Sequence, residues 1–378
     1  MIAFVASIWI SGCTESEKEG AGDSFVYSGP HSEMFDKVKR LADREDLYGS
    51  GEWHEHFGDG ALFGPSFDLS FWEIAGEQRH FDRGIEALEF NSDYVASVSG
   101  NILENTDDLE IMSMSLLSLM RAGGMTDDHD HDHYLETGDP LLSSLDTVVM
   151  ALGDYMDLEA GEFATASYGA TSVTAFMALN HIEHVANYPD SNAEHHLERA
   201  QSILDSVHET AWSEEMSAYR FGRADDRLML YPNITMMLAY AQMHQVTGEQ
   251  VHLDRFYDIY AGIQPLKDES DDHYYSPYSF ESMGATDPDY STLSSQNYLM
   301  LALLSAYQST ADEALLEEVD SILGFIENNL MEGDLITHHW IDGRAASLDD
   351  PWYFCMGCNL QTLYILVLRE VERRALAD

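Results

Sequence analysis

The chain has 378 residues, of which 45% are hydrophobic, so it can bury one large core or two modest ones. Its 68 acidic and 18 basic residues give a formal net charge of -50, and the acids are spread along the whole length. Such a surface argues against nucleic acid as a partner, because phosphate binding needs clustered Lys and Arg. It predicts a halophilic protein, because concentrated counter-ions screen the repulsion between acidic groups.

The first twelve residues, MIAFVASIWISG, are apolar or small, and Cys13 and a Gly- and Glu-rich segment follow them. The apolar run is too short to span a membrane and resembles a lipoprotein signal, in which the cysteine after small residues is lipidated. An unstructured apolar tag is the alternative, because no Lys or Arg precedes the run. The signal interpretation predicts a signal segment at 1–12, a flexible tether at 13–30 and a single domain at 31–378. It also predicts an extracytoplasmic protein that is anchored to the cell membrane.

Two types of helix alternate along the domain. The segment 168–188 is apolar on most sides, which is typical of a buried helix, whereas 191–212 has apolar residues on one face only. This pair recurs with a period of about 62 residues. Buried helices are predicted to begin near residues 67, 106, 168, 231, 292 and 355. Amphipathic helices are predicted over about 31–46, 80–104, 138–157, 192–212, 249–262 and 311–330.

Twelve alternating helices predict an all-α ring of six hairpins, with apolar helices inside and amphipathic helices outside. The helix at 31–46 would close the ring against the C-terminal helix, so that no repeat end is exposed. The pattern resembles the (α/α)6 toroid of glycoside hydrolases, polysaccharide lyases and sugar epimerases, at the level of architecture and without a shared catalytic motif. An open α-solenoid or an irregular helical bundle is the alternative.

The connections between these helices are of two lengths. Links from a buried helix to the next amphipathic one are short, as in NYPD at 187–190, whereas links in the other direction are long, at 213–231, 263–291 and 331–354. Long loops in a compact domain are usually functional. Because they all precede buried helices, they are expected to share one face of the ring.

The long loops are rich in aromatic and acidic residues, as a sugar-binding cleft would be, since rings stack on pyranoses and paired carboxylates act as acid and base. The catalytic candidates are Asp225 with Asp226 and Asp349 with Asp350, although adjacent acids also arise by chance in so acidic a chain. The substrate-binding candidates are Trp53, His54, Tyr219, Tyr231, Tyr274, Tyr275, Tyr278, His338, His339, Trp340, Arg344, Trp352 and Tyr353. Alternatively, these aromatic residues simply plug the mouth of the ring.

The segment DDHDHDHY at 127–134 carries three histidines that suit a transition metal. It lies between a buried helix and the following amphipathic one, so it is expected on the face opposite the cleft. A solvated loop is therefore favoured over a catalytic centre.

Cys355 and Cys358 fall where the last buried helix is predicted to begin. They are consistent with a structural pair that is oxidised outside the cell, with a zinc site completed by His338 or His339, or with a redox dithiol. No βαβ strand of the thioredoxin type precedes them, which disfavours the last.

Three functions follow from this pattern. The first is an exported, lipid-anchored carbohydrate-active enzyme, a glycoside hydrolase, lyase or epimerase, that acts on an oligo- or polysaccharide by carboxylate chemistry and without a cofactor. The second is a non-catalytic surface lipoprotein that binds a glycan or a protein. The third is a zinc enzyme centred on Cys355, Cys358 and a histidine. The sequence does not fix the oligomeric state.

Overall fold

The structure is a computed structural model that describes residues 26–43, 57–98, 109–123, 131–151, 169–188, 192–222, 225–268, 270–276, 278–279, 284–285, 290–341, 343–347 and 353–376. These parts of the chain contain twelve α-helices. They are α1 (Ser32–Ala42), α2 (Phe57–Ala75), α3 (Gln78–Val98), α4 (Leu109–Gly123), α5 (His131–Ala151), α6 (Gly169–Asn187), α7 (Ala193–Ala211), α8 (Leu230–Thr247), α9 (Gln250–Ile263), α10 (Leu293–Thr310), α11 (Glu313–Phe325) and α12 (Met356–Ala375).

The even-numbered helices form an inner ring. Each packs against the next, and α12 packs back against α2, so the ring is closed. The odd-numbered helices lie outside, against the inner helices, and α1 completes the outer layer by lying against α12. The predicted (α/α)6 toroid is confirmed. The closed ring of inner helices excludes the open solenoid and the irregular bundle.

Burial explains which helices lie inside. Every residue of α8 from Leu230 to Met243 is buried, as is every residue of α10 from Leu293 to Tyr307. An outer helix such as α7 buries a single stripe, made of Ala200, Ile203, Leu204, Val207 and Ala211. A helix that is apolar on all sides is stable only when it is surrounded, whereas an amphipathic helix needs one partner face.

Aromatic side chains fill the middle of the ring. The ring of Tyr298 on α10 lies 5.6 Å from Phe63 on α2, 5.8 Å from Phe176 on α6 and 5.4 Å from Tyr231 on α8, all edge to face. Three inner helices from different sides of the toroid therefore meet at one tyrosine. This cluster, here called the aromatic floor, lies within the first two turns of α8 and α10.

The two ends of the described chain meet. Arg374 on α12 donates to the backbone oxygen of Val26 at 2.8 Å, and Ser28 donates to the carboxylate of Glu370 at 3.1 Å. Tyr27 is buried and stacks on Phe35 of α1. Residues 26–30, which the sequence assigns to the tether, thus belong to the folded domain.

The connections follow the predicted asymmetry. Links from an inner to an outer helix include two-residue turns at 76–77, 248–249 and 311–312, and Gly248 ends α8 in the left-handed conformation (φ 70°) that glycine accommodates. Connections from an outer to the next inner helix are long. Those with described residues between α7 and α8, α9 and α10, and α11 and α12 end at inner-helix N-termini, so they gather at one end of the ring, here called the long-loop rim. The opposite end is the short-link rim.

The strands within the described residues all lie in these long connections. They are β1 (Trp212–Ser213), β2 (Ala218–Gly222), β3 (Asp225–Leu228), β4 (Lys267–Asp268), β5 (His273–Tyr274), β6 (Tyr278–Ser279), β7 (Gly284–Ala285), β8 (Ser291–Thr292), β9 (Met331–Glu332), β10 (Leu335–Ile336), β11 (His339–Ile341) and β12 (Arg344–Ala345). They pair antiparallel as β1-β2-β3, β4-β5, β6-β7, β10-β9 and β12-β11-β8.

Two predicted helix starts are wrong. The first inner helix begins at Phe57 and not near 67, although it contains Pro65, and an outer helix spans His131–Ala151 and not 138–157. In α2, glycines and a proline mimic a loop, but the helix is buried between α4 and α12, and tertiary packing overrides local propensity. None of the helices in the described ranges combines the length and hydropathy of a membrane-spanning segment.

The net charge of -50 predicts a salt-dependent stability. Raising KCl from about 0.1 M to about 2 M shortens the Debye length from roughly 10 Å to below 3 Å. We therefore expect the thermal unfolding midpoint to rise steeply over that range, as followed by circular dichroism. A midpoint that stays constant or falls with added KCl would contradict the halophilic interpretation of the composition.

Candidate functional site

One segment of the long-loop rim is fixed between the N-termini of α10 and α12. The backbone N–H of Leu293, at the start of α10, donates to the oxygen of His338 at 2.8 Å. The N–H of His338 donates to the oxygen of Tyr353 at 3.0 Å. Asn359 on α12 bonds both backbone groups of Ile336, at 2.8 and 3.0 Å. Residues 336–339 are therefore held rigidly above the inner ring.

The same segment presents aromatic side chains to the rim. Trp340 is half-buried, with its ring 5.5 Å from Phe325 and 6.3 Å from His273, both edge to face. His339 is buried, and its Nε2 lies 3.1 Å from the hydroxyl of Tyr290. Trp340 thus has a supported edge and is partly exposed at the rim. A half-buried, rigidly supported indole suits stacking on a sugar ring.

Two aromatic residues that the sequence predicts for ligand contact belong to the core. Tyr219 is fully buried; its hydroxyl lies 2.9 Å from that of Tyr240, and its N–H donates to Asn233. Tyr274 is also fully buried and donates to Glu318 at 2.8 Å. Both side chains brace loops against helices, so they are not on the surface that a substrate would meet.

Tyr231 is buried as well, whereas the candidates Tyr275, Tyr353 and Arg344 lie nearer the surface of the rim. Tyr231 is in the aromatic floor and 6% exposed. Tyr353 is partly buried and donates to Glu332 at 3.0 Å, and Arg344 on β12 is exposed. Tyr275 is partly buried and donates to Asp268.

Asp268 is an acidic group of the rim that sequence reasoning missed. Hydrogen bonds from Ser270 and from Tyr275 lower the pKa of its carboxyl to about 2. It is therefore ionised at neutral pH and can accept a hydrogen bond from a ligand, whereas its low pKa makes it a weak base. In the sequence it is one more Asp in an acidic loop, without a motif around it.

The four predicted catalytic carboxylates are on long connections. Asp225 and Asp226 open β3, where the backbone of Asp225 pairs with Gly222, and the backbone oxygen of Arg220 in β2 accepts from Thr171 on α6 at 2.8 Å. The following predicted site groups lie outside the described residues: the side chains of Asp225, Asp226 and Tyr278, and the whole of Trp53, His54, Asp349, Asp350 and Trp352.

Cys355 and Cys358 are joined in a disulfide, with Cα atoms 5.3 Å apart. Cys355 is the N-cap of α12, and its sulfur accepts the N–H of Cys358 at 3.1 Å. The ligand atoms of His338, Cys355 and Cys358 all lie within 4.8 Å of one another. The two oxidised cysteines are thus two of the three predicted zinc ligands, at the predicted helix end on the long-loop rim.

A cluster of histidines lies near the short-link rim, and sequence reasoning missed it. His181 Nδ1 on α6 is 2.9 Å from His196 Nδ1 on α7, and the rings of His184 and His196 stack at 3.7 Å. Asp139 on α5 lies 3.2 Å from His184. The HIEH spacing in 181–184 places two histidines on one helix face and is the signal that could have revealed it. The exposed residue His133 of the acidic histidine tract lies in the first turn of α5, so this part of the tract is helical and not a loop.

Burial, and then the neighbouring His184 and His181, lower the pKa of His196 to about 3. Because the folded pKa is below the ordinary value of about 6.5, the neutral form stabilises the fold above pH 6.5. That stabilisation is lost progressively as the pH falls towards 3. We expect the unfolding temperature to decrease less between pH 7 and about pH 4.5 in His196→Asn than in the unchanged chain, when both are measured at the same salt concentration. An identical pH dependence in both proteins would contradict the buried neutral histidine, since the carboxylates titrate in both.

No protein-family model and no curated protein matches the sequence. Solved structures do match. A glycosyl hydrolase of family 88 from Bacteroides vulgatus has a TM-score of 0.61 at 10% identity, covering 90% of this chain and 97% of its own. Cellobiose 2-epimerase from Bacillus thermoamylovorans has a TM-score of 0.55 at 10% identity, covering 84% and 87%.

A third match is the α-1,6-mannanase of Salegentibacter sp., with a TM-score of 0.51 at 14% identity, covering 83% of this chain and 88% of its own. It was solved with α-1,6-mannotetrose as an inactive variant in which two consecutive aspartates are alanine. At these identities the likeness concerns the fold. This chain therefore has the (α/α)6 toroid fold, which glycoside hydrolases and sugar epimerases also adopt.

Proposed function

We propose that the protein is an exported, lipid-anchored carbohydrate-active enzyme, a glycoside hydrolase, polysaccharide lyase or epimerase. The observation that carries the proposal is the gathering of long, aromatic and acidic connections at one rim of a closed toroid, above an aromatic floor. The half-buried Trp340 and the ionised Asp268 are the described members of this rim. The matched hydrolase, mannanase and epimerase structures support the same class of reaction.

The chemistry proposed is carboxylate acid and base catalysis. An acid protonates the leaving oxygen or abstracts a proton, and a second carboxylate activates water, attacks the sugar or returns a proton. The acids proposed for these roles are Asp225, Asp226, Asp349 and Asp350. Consecutive aspartates support the assignment, because the inactive mannanase variant lacks such a pair.

A further consecutive pair, Asp107 and Asp108, directly precedes Leu109, the first residue of α4. By sequence position it stands in a long connection, just before an inner helix, as Asp349 and Asp350 do. This pair completes the set of acids that we propose to test.

The proposed location is the outer side of the cell membrane, with a lipid on Cys13. We expect the native chain expressed in an archaeal or bacterial host to fractionate with membranes and a Cys13→Ser variant to be released, because a lipid anchor adds about 0.8 kcal/mol per buried CH₂ group. Equal release of both proteins would contradict the anchor without affecting the proposed reaction.

The experiment that tests the reaction is a substrate panel in molar KCl. Mannans, glucans, uronic-acid polysaccharides and oligosaccharides are incubated with the full chain. New reducing ends report hydrolysis, new ultraviolet absorbance of unsaturated products reports lyase activity, and chromatography of the sugars reports epimerisation. Turnover in one of the three readouts is expected. A folded protein that turns over no member of the panel would contradict the proposal.

The same panel distinguishes an enzyme from a non-catalytic glycan-binding lipoprotein. Saturable binding without any product, lost in Trp340→Ala and kept in the aspartate variants, would favour that alternative. Trp72→Ala is the matched control, because Trp72 packs against Phe81 at 4.6 Å near the C-terminal end of α2, at the short-link rim. Turnover that a chelator abolishes would instead favour a zinc enzyme centred on Cys355, Cys358 and His338.

A further inference from the structure

We propose that Cys355, Cys358 and His338 form a redox-gated site for one thiophilic divalent cation, with zinc as the expected metal. The reduced protein binds the cation, and formation of the Cys355–Cys358 disulfide expels it. The inference does not depend on the proposed carbohydrate chemistry.

The geometry of the three side chains suits such a cation. Two sulfurs and one imidazole nitrogen lie within 4.8 Å of one another. Zinc bonds of about 2.3 Å to sulfur and about 2.0–2.1 Å to nitrogen place tetrahedral ligand atoms roughly 3.4–3.8 Å apart. Two cysteines separated by two residues are a common half of zinc sites. The ligand atoms are therefore already within a side-chain rotation of a tetrahedral arrangement.

The backbone holds the three ligands in place. His338 is fixed through both of its backbone groups, to Leu293 at the start of α10 and to Tyr353. Cys355 is the N-cap of α12, and Cys358 lies in the first turn, where it is fully buried. The cation would thus link the N-termini of two neighbouring inner helices. Its binding should stabilise this side of the long-loop rim.

The electrostatics of the site favour thiolates over thiols. The N-terminus of a helix carries about half a positive charge and stabilises an anion beside it. The N–H of Cys358 already donates to the sulfur of Cys355 at 3.1 Å. Both effects lower the cost of the two thiolates that a soft cation requires.

Three ligands leave one tetrahedral position for water or for a substrate group. His338 is 9% exposed, and Cys355 is partly buried, so the cluster is near the surface of the rim. The two thiolates balance the charge of a bound divalent cation, so the site would act through its open coordination position and not through net charge. That position would take water or a hydroxyl oxygen of a ligand.

The metal-bound and oxidised states exclude each other, because the same sulfur electron pairs form either the metal bonds or the S–S bond. In the oxidation, two thiolates give two electrons to a small-molecule disulfide, whose S–S bond breaks to yield two thiolates, and the cation leaves. In the reduction, a small dithiol becomes a cyclic disulfide and passes two electrons and two protons to Cys355 and Cys358. Metal binding then releases those two protons.

The test uses the full chain with Cys13→Ser, so that Cys355 and Cys358 are its only cysteines. The protein is prepared anaerobically, either reduced with a phosphine or oxidised with a small-molecule disulfide, in molar KCl. Bound zinc is measured after gel filtration, and cobalt is added in parallel because thiolate–cobalt bonds give a distinct charge-transfer absorption. We expect one equivalent of zinc and the charge-transfer band in the reduced protein, and neither in the oxidised protein.

Variants assign the ligands. Cys355→Ser and Cys358→Ser should lower zinc affinity at least a hundredfold, and His338→Gln at least tenfold. Asp268→Asn is the control and should have no effect, although Asp268, Asp271 and His273 form a second group of possible ligands. His338→Gln keeps the cysteines, so it remains informative if a cysteine variant fails to fold.

Equal zinc binding by the reduced and the oxidised protein would overturn the proposal. So would zinc without a cobalt charge-transfer band, because that result would place the metal on the histidines or carboxylates elsewhere. An unchanged affinity in His338→Gln would remove His338 from the site. None of these outcomes bears on whether the protein turns over a carbohydrate.

Discussion

Replacing the acid or base of the rim by its amide is expected to reduce turnover by roughly 10²–10⁴-fold, the usual contribution of a positioned proton donor or acceptor. The variants are single Asp→Asn changes at Asp225, Asp226, Asp349 and Asp350, assayed on the panel substrate in molar KCl. Asn keeps the size and polarity of Asp, so a loss of turnover reports the carboxyl group itself. At least one variant should lose turnover while KM changes little.

The matched control is Asp271→Asn. Asp271 is also one of two consecutive aspartates on a long connection, but it lies exposed in the turn between β4 and β5. It should keep full turnover. If Asp271→Asn loses as much activity as the four variants do, the loss comes from the charge of the rim and not from a catalytic group. If all four variants keep full activity, attention moves to Asp107 and Asp108, and the four assigned roles are wrong.

Glu183→Gln is expected to cost roughly 3–5 kcal/mol of unfolding free energy, because it removes the negative charge that pairs with the buried guanidinium of Arg121. Arg121 on α4 donates from Nε to Glu183 on α6 at 2.8 Å, and Asn187 donates to the other carboxylate oxygen at 3.0 Å. Both charged residues are about 5% exposed or less. Burial lowers the pKa of Arg121, but the neighbouring carboxylate of Glu183 has the larger effect in total. The pKa of Arg121 is therefore raised above its ordinary value.

A double-mutant cycle, followed by urea unfolding at constant molar salt, tests whether Arg121 and Glu183 form a buried ion pair. The pair Arg121→Met with Glu183→Met should lose much less than the sum of the two single changes, because an apolar pair leaves no uncompensated charge. Asp334→Asn, which breaks the exposed ion pair with Arg40, is the control and should barely move the midpoint. Additive losses in the cycle would contradict a direct buried contact between α4 and α6.

The periodic features of the fold were predictable from the sequence, because they rest on burial. Helices such as α8 and α10 are apolar on all sides, and only an interior position satisfies that pattern. The asymmetry of the connections, which places the site at one rim, could be counted directly. The start of α2 could not be predicted, because Pro65 and the nearby glycines locally favour a loop. This segment is helical because it packs against α4 and α12.

The site itself was only partly predictable, because composition does not tell a core aromatic residue from a ligand contact. Tyr219 and Tyr274 have the same sequence context as Trp340, yet their hydroxyl groups turn inwards to partners on helices. The ionised Asp268 depends on donors that only the folded hairpin brings together. The cluster of Cys355, Cys358 and His338 was predictable as a set, because the period placed the cysteines at a helix start, but the disulfide between them required coordinates.

Hydrogen–deuterium exchange of an inactive aspartate variant, with and without the oligosaccharide that the panel identifies, tests most directly whether the long-loop rim binds the carbohydrate. Slower exchange is expected in the long-loop rim, above all in 335–347 and 353–358, and unchanged exchange at the short-link rim in 181–196. Protection confined to the short-link rim, or spread evenly over both rims, would contradict a carbohydrate site above the aromatic floor.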